Sequence, residues 1–191
     1  MKREEKHKAI AIPVTFVDDK PRFLTVMDQR FQEWIFVTGG CRKREVYNPI
    51  RCALRELEEE TRGTVNIKSG LYTTFTFETT EQSPQDMQAA KDAGLDVVLI
   101  YHVFIFFVKF TRDEQKELVA KFNEEKAKMQ KRKDNKLPIK RTYDENTHMA
   151  FDTLDTFARK RRWPMIIRHV INNPDFYAAL NSLNKKPFNI R

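Results

Sequence analysis

The hydrophobic and polar positions divide the chain into strand-like runs followed by helical ones. After a charged start, Met1–Lys8, the segment Ala9–Val17 (AIAIPVTFV) has the β-branched and aromatic content of a strand, with Pro13 pointing to an edge or a bulge. Asp18-Asp19-Lys20-Pro21 reads as a turn and Arg22–Met27 (RFLTVM) as its hairpin partner. Glu33–Thr38 (EWIFVT) predicts a third strand, stopped by Gly39-Gly40. A polar loop leads to Pro49, which opens a helix running to about Thr61; Pro suits a first helical turn, and Gly63 is placed to cap the end. Thr64–Thr79, rich in Thr and Phe, predicts one or two strands. Glu81–Gly94 reads as a polar loop with a short Pro-started helix, and Leu95–Phe110 as one long bent strand or two.

From Thr111 the period changes. Leu118, Val119, Phe122 and Met129 recur at helical spacing amid Glu and Lys, which predicts an amphipathic helix to about residue 131. Lys131–Arg141 then reads as a basic, Pro-containing linker. Met149–Leu154 returns to a strand pattern, Asp155–Arg161 to a short helix, and Pro164–Leu183 to two short helices parted by Asn172-Asn173-Pro174. There is no internal repeat. Strands do not alternate regularly with helices, so the pattern predicts an α+β fold with a mixed sheet rather than a doubly wound parallel one. The expected organisation is one domain over 1–191, with a helical and basic insertion at about 111–141 and a helical tail at 164–184. Phe104, Phe106 and Phe107 are expected in the core, and Ile166, Ile167, Val170 and Phe176 against the sheet.

Composition narrows the setting. At 191 residues, 40% hydrophobic and 32% charged, the chain can bury a core and is not disordered in character. The longest apolar run, Val97–Phe107, is broken by His102 and is too short to span a bilayer, so no membrane partner is expected. Met1–Lys8 lacks the apolar core of a signal peptide. Cys41 and Cys52 have no metal-ligand spacing and are expected to be free thiols in a reducing, cytoplasmic setting. A net charge of +8 favours an anionic partner without saying which one.

The candidate chemistry lies between residues 39 and 63. On a helix Glu56, Glu59 and Glu60 are related by three and four residues, so their carboxylates leave one face, while Ala53, Leu54 and Leu57 supply an apolar side. Like charges at this spacing cost roughly 0.2–0.5 kcal/mol per pair in an isolated helix. A bound Mg²⁺ or Mn²⁺, which takes oxygen ligands, would reverse that sign. Arg55, one turn before Glu59, is placed to neutralise and orient it.

These residues resemble the signature of the Nudix hydrolase family: a Gly, five residues, a Glu, seven residues, then Arg-Glu-apolar-x-Glu-Glu-x-Gly. Arg55-Glu56-Leu57-Glu58-Glu59-Glu60-Thr61 matches the second half, and Trp34–Gly40 (WIFVTGG) looks like the strand and turn before it. The first half departs. Counting from Gly39 reaches Glu45, but nine residues then precede Arg55; counting back from Arg55 reaches Tyr47. The role of Glu45 stays open, and Arg62 stands where the family has its last Gly. The resemblance implies an α/β/α sandwich with a mixed central sheet and C-terminal helices. It further implies Mg²⁺ or Mn²⁺ held by Glu56, Glu59, Glu60 and a backbone carbonyl near Gly40, and metal-assisted hydrolysis of a diphosphate linkage. Glu59 and Glu60 would serve catalysis, Arg55 would support them, and Glu145, in the loop before the last strand, is the candidate for a further catalytic carboxylate.

Substrate is a thinner inference. Lys126–Arg141 holds eight Lys or Arg and one Asp, and a second cluster is Arg159-Lys160-Arg161-Arg162. Lys131, Arg132, Lys133 and Arg141 are candidates for gripping an RNA backbone, with Tyr143, Phe151 or Trp163 available to stack a base. Some Nudix enzymes, including those of large DNA viruses, hydrolyse the mRNA cap, which favours capped mRNA over a small nucleotide such as ADP-ribose or a dinucleoside polyphosphate, or a diphosphoinositol phosphate. A module that keeps the fold but only binds RNA or protein is the competing class. His148 and His169 are isolated and expected to be structural or superficial.

Overall fold

In the computed structural model, which describes residues 1–68 and 70–184, a seven-stranded mixed sheet is built on its longest strand. That strand, β1 (Lys2–Val17), turns at Asp18-Asp19 into β2 (Lys20–Asp28). Both turn residues have positive φ, 52° and 60°, the mirror-image turn that matches the twist of a hairpin. The third run is not one strand: β3 (Trp34–Ile35) pairs with β2, whereas β4 (Val37–Gly40) pairs with β1. Gly39 and Gly40 are therefore the last two residues of β4, where the strand ends as expected. Then follow α1 (Pro49–Glu60), β5 (Tyr72–Thr79), α2 (Pro84–Asp92) and β6 (Leu95–Phe107). Residues 64–68 form no strand. The chain continues through α3 (Arg112–Asp134), a 3₁₀ turn at Arg141–Tyr143, β7 (Asn146–Asp152) and α4 (Leu154–Ala158). The last elements are α5 (Pro164–Ile166), a π-helical turn at Ile167–Ile171 and α6 (Pro174–Asn184).

The sheet runs β3-β2-β1-β6-β5, with β4 beside β1 and β7 beside β2; β6 pairs in parallel with β1 along its whole length, from Lys2 opposite Leu95 to Val14 opposite Phe107. This pairing draws the charged residues 2–8 into a strand that their composition did not suggest. It also makes Pro13 part of a central strand rather than an edge. Pro13 sits where the second neighbour of β1 changes from β4, which pairs with residues 8–11, to β2, which pairs with 14–17, so its missing N–H falls at a gap in one ladder.

Alternation along β1 and β6 sorts the core into two layers. Ile10, Ile12, Val14, Tyr101, Val103 and Ile105 face α4, α5 and α6, where Phe157, Ile166, Val170 and Phe176 are fully or almost fully buried. Ala9, Ala11, Phe104 and Phe106 face the other way, against Cys52, Ala53 and Leu57 of α1 and Phe122 of α3. This is the α/β/α sandwich expected. Phe104 and Phe106 lie in the core as anticipated, with Phe107 packed on the opposite layer. Helix α3 has a complete capping box, Thr111 with Glu114, and runs three residues past the expected end. Lys131, Arg132 and Lys133 thus form its last turn and not a linker. Among the described residues no helix is long and apolar enough to cross a membrane.

Candidate active site

Two features of α1 decide where its carboxylates go. Its apolar stripe, Cys52, Ala53 and Leu57, is fully buried on the sheet. Glu56, Glu59 and Glu60 flank that stripe and are pressed inward with it, each at most 8% exposed. Glu56 fills the space left by the missing side chain of Gly39, where an added Cβ would lie 1.9 Å from its carboxyl carbon. Glu60 accepts hydrogen bonds from the Asn146 amide nitrogen at 3.1 Å and from the Thr38 backbone.

Arg55 organises the rest. Its Nε and Nη2 donate to the two oxygens of Glu45 at 2.8 and 3.0 Å, a bidentate fork. Nη1 reaches Glu56 at 2.5 Å and Glu59 at 3.0 Å, and Nη2 also donates to the Gly40 carbonyl at 3.0 Å. The question left by the irregular loop is thereby answered in geometric terms: Glu45, buried, is the partner of Arg55, while Tyr47 is 92% exposed. Arg42 approaches from above, 3.5 Å from Glu59. Glu145 is exposed, its backbone carbonyl accepting from the Gln29 N–H at 2.9 Å.

The electrostatics are uneven. The hydrogen bonds from Arg55 hold the Glu45 carboxyl below the usual carboxylate range and raise Arg55 well above its own. Burial pushes Glu56 up, against the pull of Arg55, and Glu59 and Glu145 push it further. Burial raises Glu60 well above the ordinary value, with Glu56 and Glu145 adding to it. Glu145 is raised by partial desolvation and by the charges of Glu59 and Asp28. Two guanidinium groups thus face five carboxylates, and the deficit is concentrated on Glu56, Glu60 and Glu145. Such a donor set, oxygen-only and short of positive charge, suits a hard divalent cation. Among the described residues no three acidic, His or Cys side chains enclose an ion as they lie, and Arg55 occupies oxygens of Glu56 and Glu59 and the Gly40 carbonyl.

The end of α1 is unusual. Arg62 donates its backbone N–H to the Glu59 carbonyl and Gly63 to the Glu58 carbonyl, the pattern of a Schellman cap. In that cap the left-handed C′ position falls on Arg62, with φ +57°, and Gly63 after it also has positive φ, 72°. For a residue with a side chain this conformation costs roughly 1–2 kcal/mol. The Arg62 side chain is 2% exposed and lies over the Phe122 ring, while Nη2 donates to the Asn146 carbonyl at 2.6 Å.

Of the proposed RNA-gripping residues, two are held in local contacts and two are exposed. Lys133 pairs with Asp144, and Arg132 donates to the Pro138 carbonyl at 2.9 Å, so both secure the segment after α3. Lys131 and Arg141 are exposed. Lys140 lies over the Tyr143 ring, and the Tyr143 hydroxyl donates to Glu58 at 3.0 Å, linking the basic segment to α1. In the second basic cluster Lys160 binds Asp152 and lies over Trp34, and Arg162 lies over Phe157, while Arg159 is exposed and Arg161, 3.7 Å from Glu33, is largely so. Trp163 packs on the α4–α6 core layer, and Phe151 lies edge-on to Phe110. His148 is exposed, and His169 stacks on Phe77. Asn146 and Tyr143–Glu58 carried no local sequence signal; Arg62 was visible only as a departure from a glycine.

A family model described as NUDIX domain matches residues 6–145. Several solved structures share the fold. The NUDIX domain of Shewanella oneidensis NrtR, solved with ADP ribose, superposes with a TM-score of 0.56 at 9% identity, over 94% of this chain and 89% of that one. A NUDIX hydrolase from Nitrosomonas europaea gives 0.50 at 15% identity, over 98% and 96%. The C-terminal domain of mouse MUTYH, solved with human PCNA, gives 0.50 at 10%, over 96% and 92%. No curated protein matches the chain.

Proposed function

The chain belongs to the Nudix family of pyrophosphohydrolases, and we propose that it hydrolyses a diphosphate linkage with the help of Mg²⁺ or Mn²⁺, capped RNA being the favoured substrate. The observation that carries the reading is the burial of Glu56, Glu59 and Glu60 on one face of α1 without enough positive charge to balance them. A helix with no use for these carboxylates would gain stability by losing them.

In this reading Glu56, Glu59 and Glu60, with the Gly40 carbonyl, would hold the cation. When bound it would polarise phosphate oxygens and lower the pKa of an attacking water. Arg55 fixes the carboxylates in place, which matters because most of the rate in such reactions comes from positioning and charge neutralisation. Glu145, exposed and with its proton affinity raised, is suited to accept the proton as the water oxygen bonds to phosphorus and the anhydride oxygen leaves. For RNA, the support is the exposed Lys131 and Arg141 and a groove lined by Lys128, Arg132 and Lys140 together with Glu125, Met129, Pro138 and Ile139.

The test is a panel of capped RNA, ADP-ribose, diadenosine polyphosphates and diphosphoinositol phosphates in Mg²⁺ or Mn²⁺, with products identified by mass. Capped RNA should be the best substrate, and Glu59→Gln or Glu60→Gln should lower turnover by about a hundredfold or more while the fold is kept. Preference for a small nucleotide would replace the substrate and keep the reaction. Tight RNA binding with no product from any compound would favour a binding module instead.

A further inference from the structure

We propose that Arg62 is a positioning residue: it clamps the loop that presents Glu145 to the end of the helix that carries Glu60, so that the two carboxylates keep a fixed relation. The inference rests on the reading above that both serve hydrolysis.

Arg62 grips the residues on either side of Glu145. Its Nη2 donates to the Asn146 carbonyl at 2.6 Å and lies 3.9 Å from the Asp144 carboxylate. Asn146, 2% exposed, then turns its amide back to α1, donating to both the side chain and the backbone carbonyl of Glu60 at 3.1 and 3.3 Å. Lys133 holds Asp144 from α3, and Gln29 holds the Glu145 carbonyl from the end of β2. Glu145 itself remains exposed, so its placement depends on its neighbours rather than on packing of its own side chain.

The arrangement is demanding in ways that a packing residue would not be. The backbone at Arg62 is left-handed, where glycine would be at ease. The guanidinium is buried, and among the described residues one nitrogen, Nε, has no hydrogen-bond partner and Nη1 meets only the Met129 sulfur at 3.5 Å. Backbone strain and an incompletely satisfied buried cation persist where something else requires the residue. Here the requirement is the grip on 144–146. The guanidinium carries five N–H donors in a rigid planar fork that spans 144 and 146, whereas an ammonium is a compact point charge with a different reach.

The variants Arg62→Gly and Arg62→Lys separate this role from a structural one. Arg62→Gly removes the clamp and relieves the backbone, so the helix cap should be kept. Amide hydrogen exchange at residues 144–147 of the metal-free protein should accelerate by about tenfold or more, with exchange in β1 and β6 unchanged. On whichever panel compound the wild type hydrolyses, kcat should fall by about tenfold to a hundredfold with KM nearly constant. Arg62→Lys keeps the charge but not the guanidinium over Phe122, and should give intermediate values in both measurements. Unchanged exchange at 144–147 in Arg62→Gly, or unchanged kcat despite faster exchange, would overturn the proposal. Should Arg62→Gly not fold, Arg62→Lys decides alone, and wild-type behaviour there overturns it. A wild type inactive on every compound would defeat the hydrolase reading, and the positioning role with it, whereas the exchange measurement would still report the clamp.

Discussion

The carboxyl carbon of Glu56 lies 1.9 Å from the point where a Cβ on Gly39 would stand, so the Glu56 carboxylate keeps its place against β4 only because position 39 has no side chain. The obstacle is the far end of a flexible side chain, and Gly39 is not in the left-handed region. Gly39→Ala should therefore fold and should expel the Glu56 carboxylate from its place. Turnover should drop by about a hundredfold, as for a misplacement of roughly 1 Å in a catalytic group, while the melting temperature changes by a few degrees at most. Wild-type kinetics in this variant would mean that the position of Glu56 is irrelevant to the reaction.

Glu45 is the next test, because two counts along the loop give two candidates. The bidentate bond to Arg55 singles out Glu45, and Tyr47 projects into solvent. Glu45→Gln should lower kcat by about tenfold to a hundredfold, since groups that orient metal-binding side chains have effects of that order. Tyr47→Ala should leave turnover and melting temperature alone. The reverse ranking, read from the same steady-state assay, would refute the assignment.

How far the sequence foretold this site follows from what kind of signal each residue leaves. The helix was legible because Pro49 and Gly63 punctuate it and because Glu56, Glu59 and Glu60 obey its period. Glu145 was legible only by its place before a strand. The partner of Arg55 was not, because a loop has no period and two extra residues shift every count. Arg62 reads against its local preference, and what holds it there, Phe122, Met129 and Asn146, lies sixty or more residues away. The strand character of residues 2–8 was hidden for a similar reason: it comes from parallel pairing with β6, not from apolar content.

If RNA is the substrate, the last turn of α3 offers a graded experiment. Lys131→Glu alters an exposed charge and should raise KM for capped RNA and reduce the slope of log KM against log salt by about one. Lys133→Glu should do this and also lower stability, because it sets a carboxylate against Asp144. Titrating KCl in the kinetic assay, alongside thermal melts, distinguishes the two. Salt dependence unchanged in both variants would remove the basic turn from substrate binding.

The most telling measurement concerns Glu60 and pH. Burial raises its carboxyl well above the ordinary value in the folded protein, so the folded state holds a proton that the unfolded state has released. Between the unfolded and folded pKa values the metal-free protein must lose stability as pH rises, and it remains the weaker for that buried charge at higher pH. Glu60→Gln removes the ionisation but leaves an oxygen for the Asn146 amide. It should stabilise the metal-free protein at neutral pH by about 1–3 kcal/mol and flatten the dependence of stability on pH above the ordinary carboxylate range. Adding Mg²⁺ or Mn²⁺ should stabilise the wild type progressively, by mass action, and should do much less for the variant. Thermal melts of both proteins from acidic to neutral pH, with and without metal, give all four comparisons. If the variant melts no higher than the wild type without metal, and gains as much from metal, then Glu60 is neither electrostatically frustrated nor a ligand, and the metal-site reading fails with it.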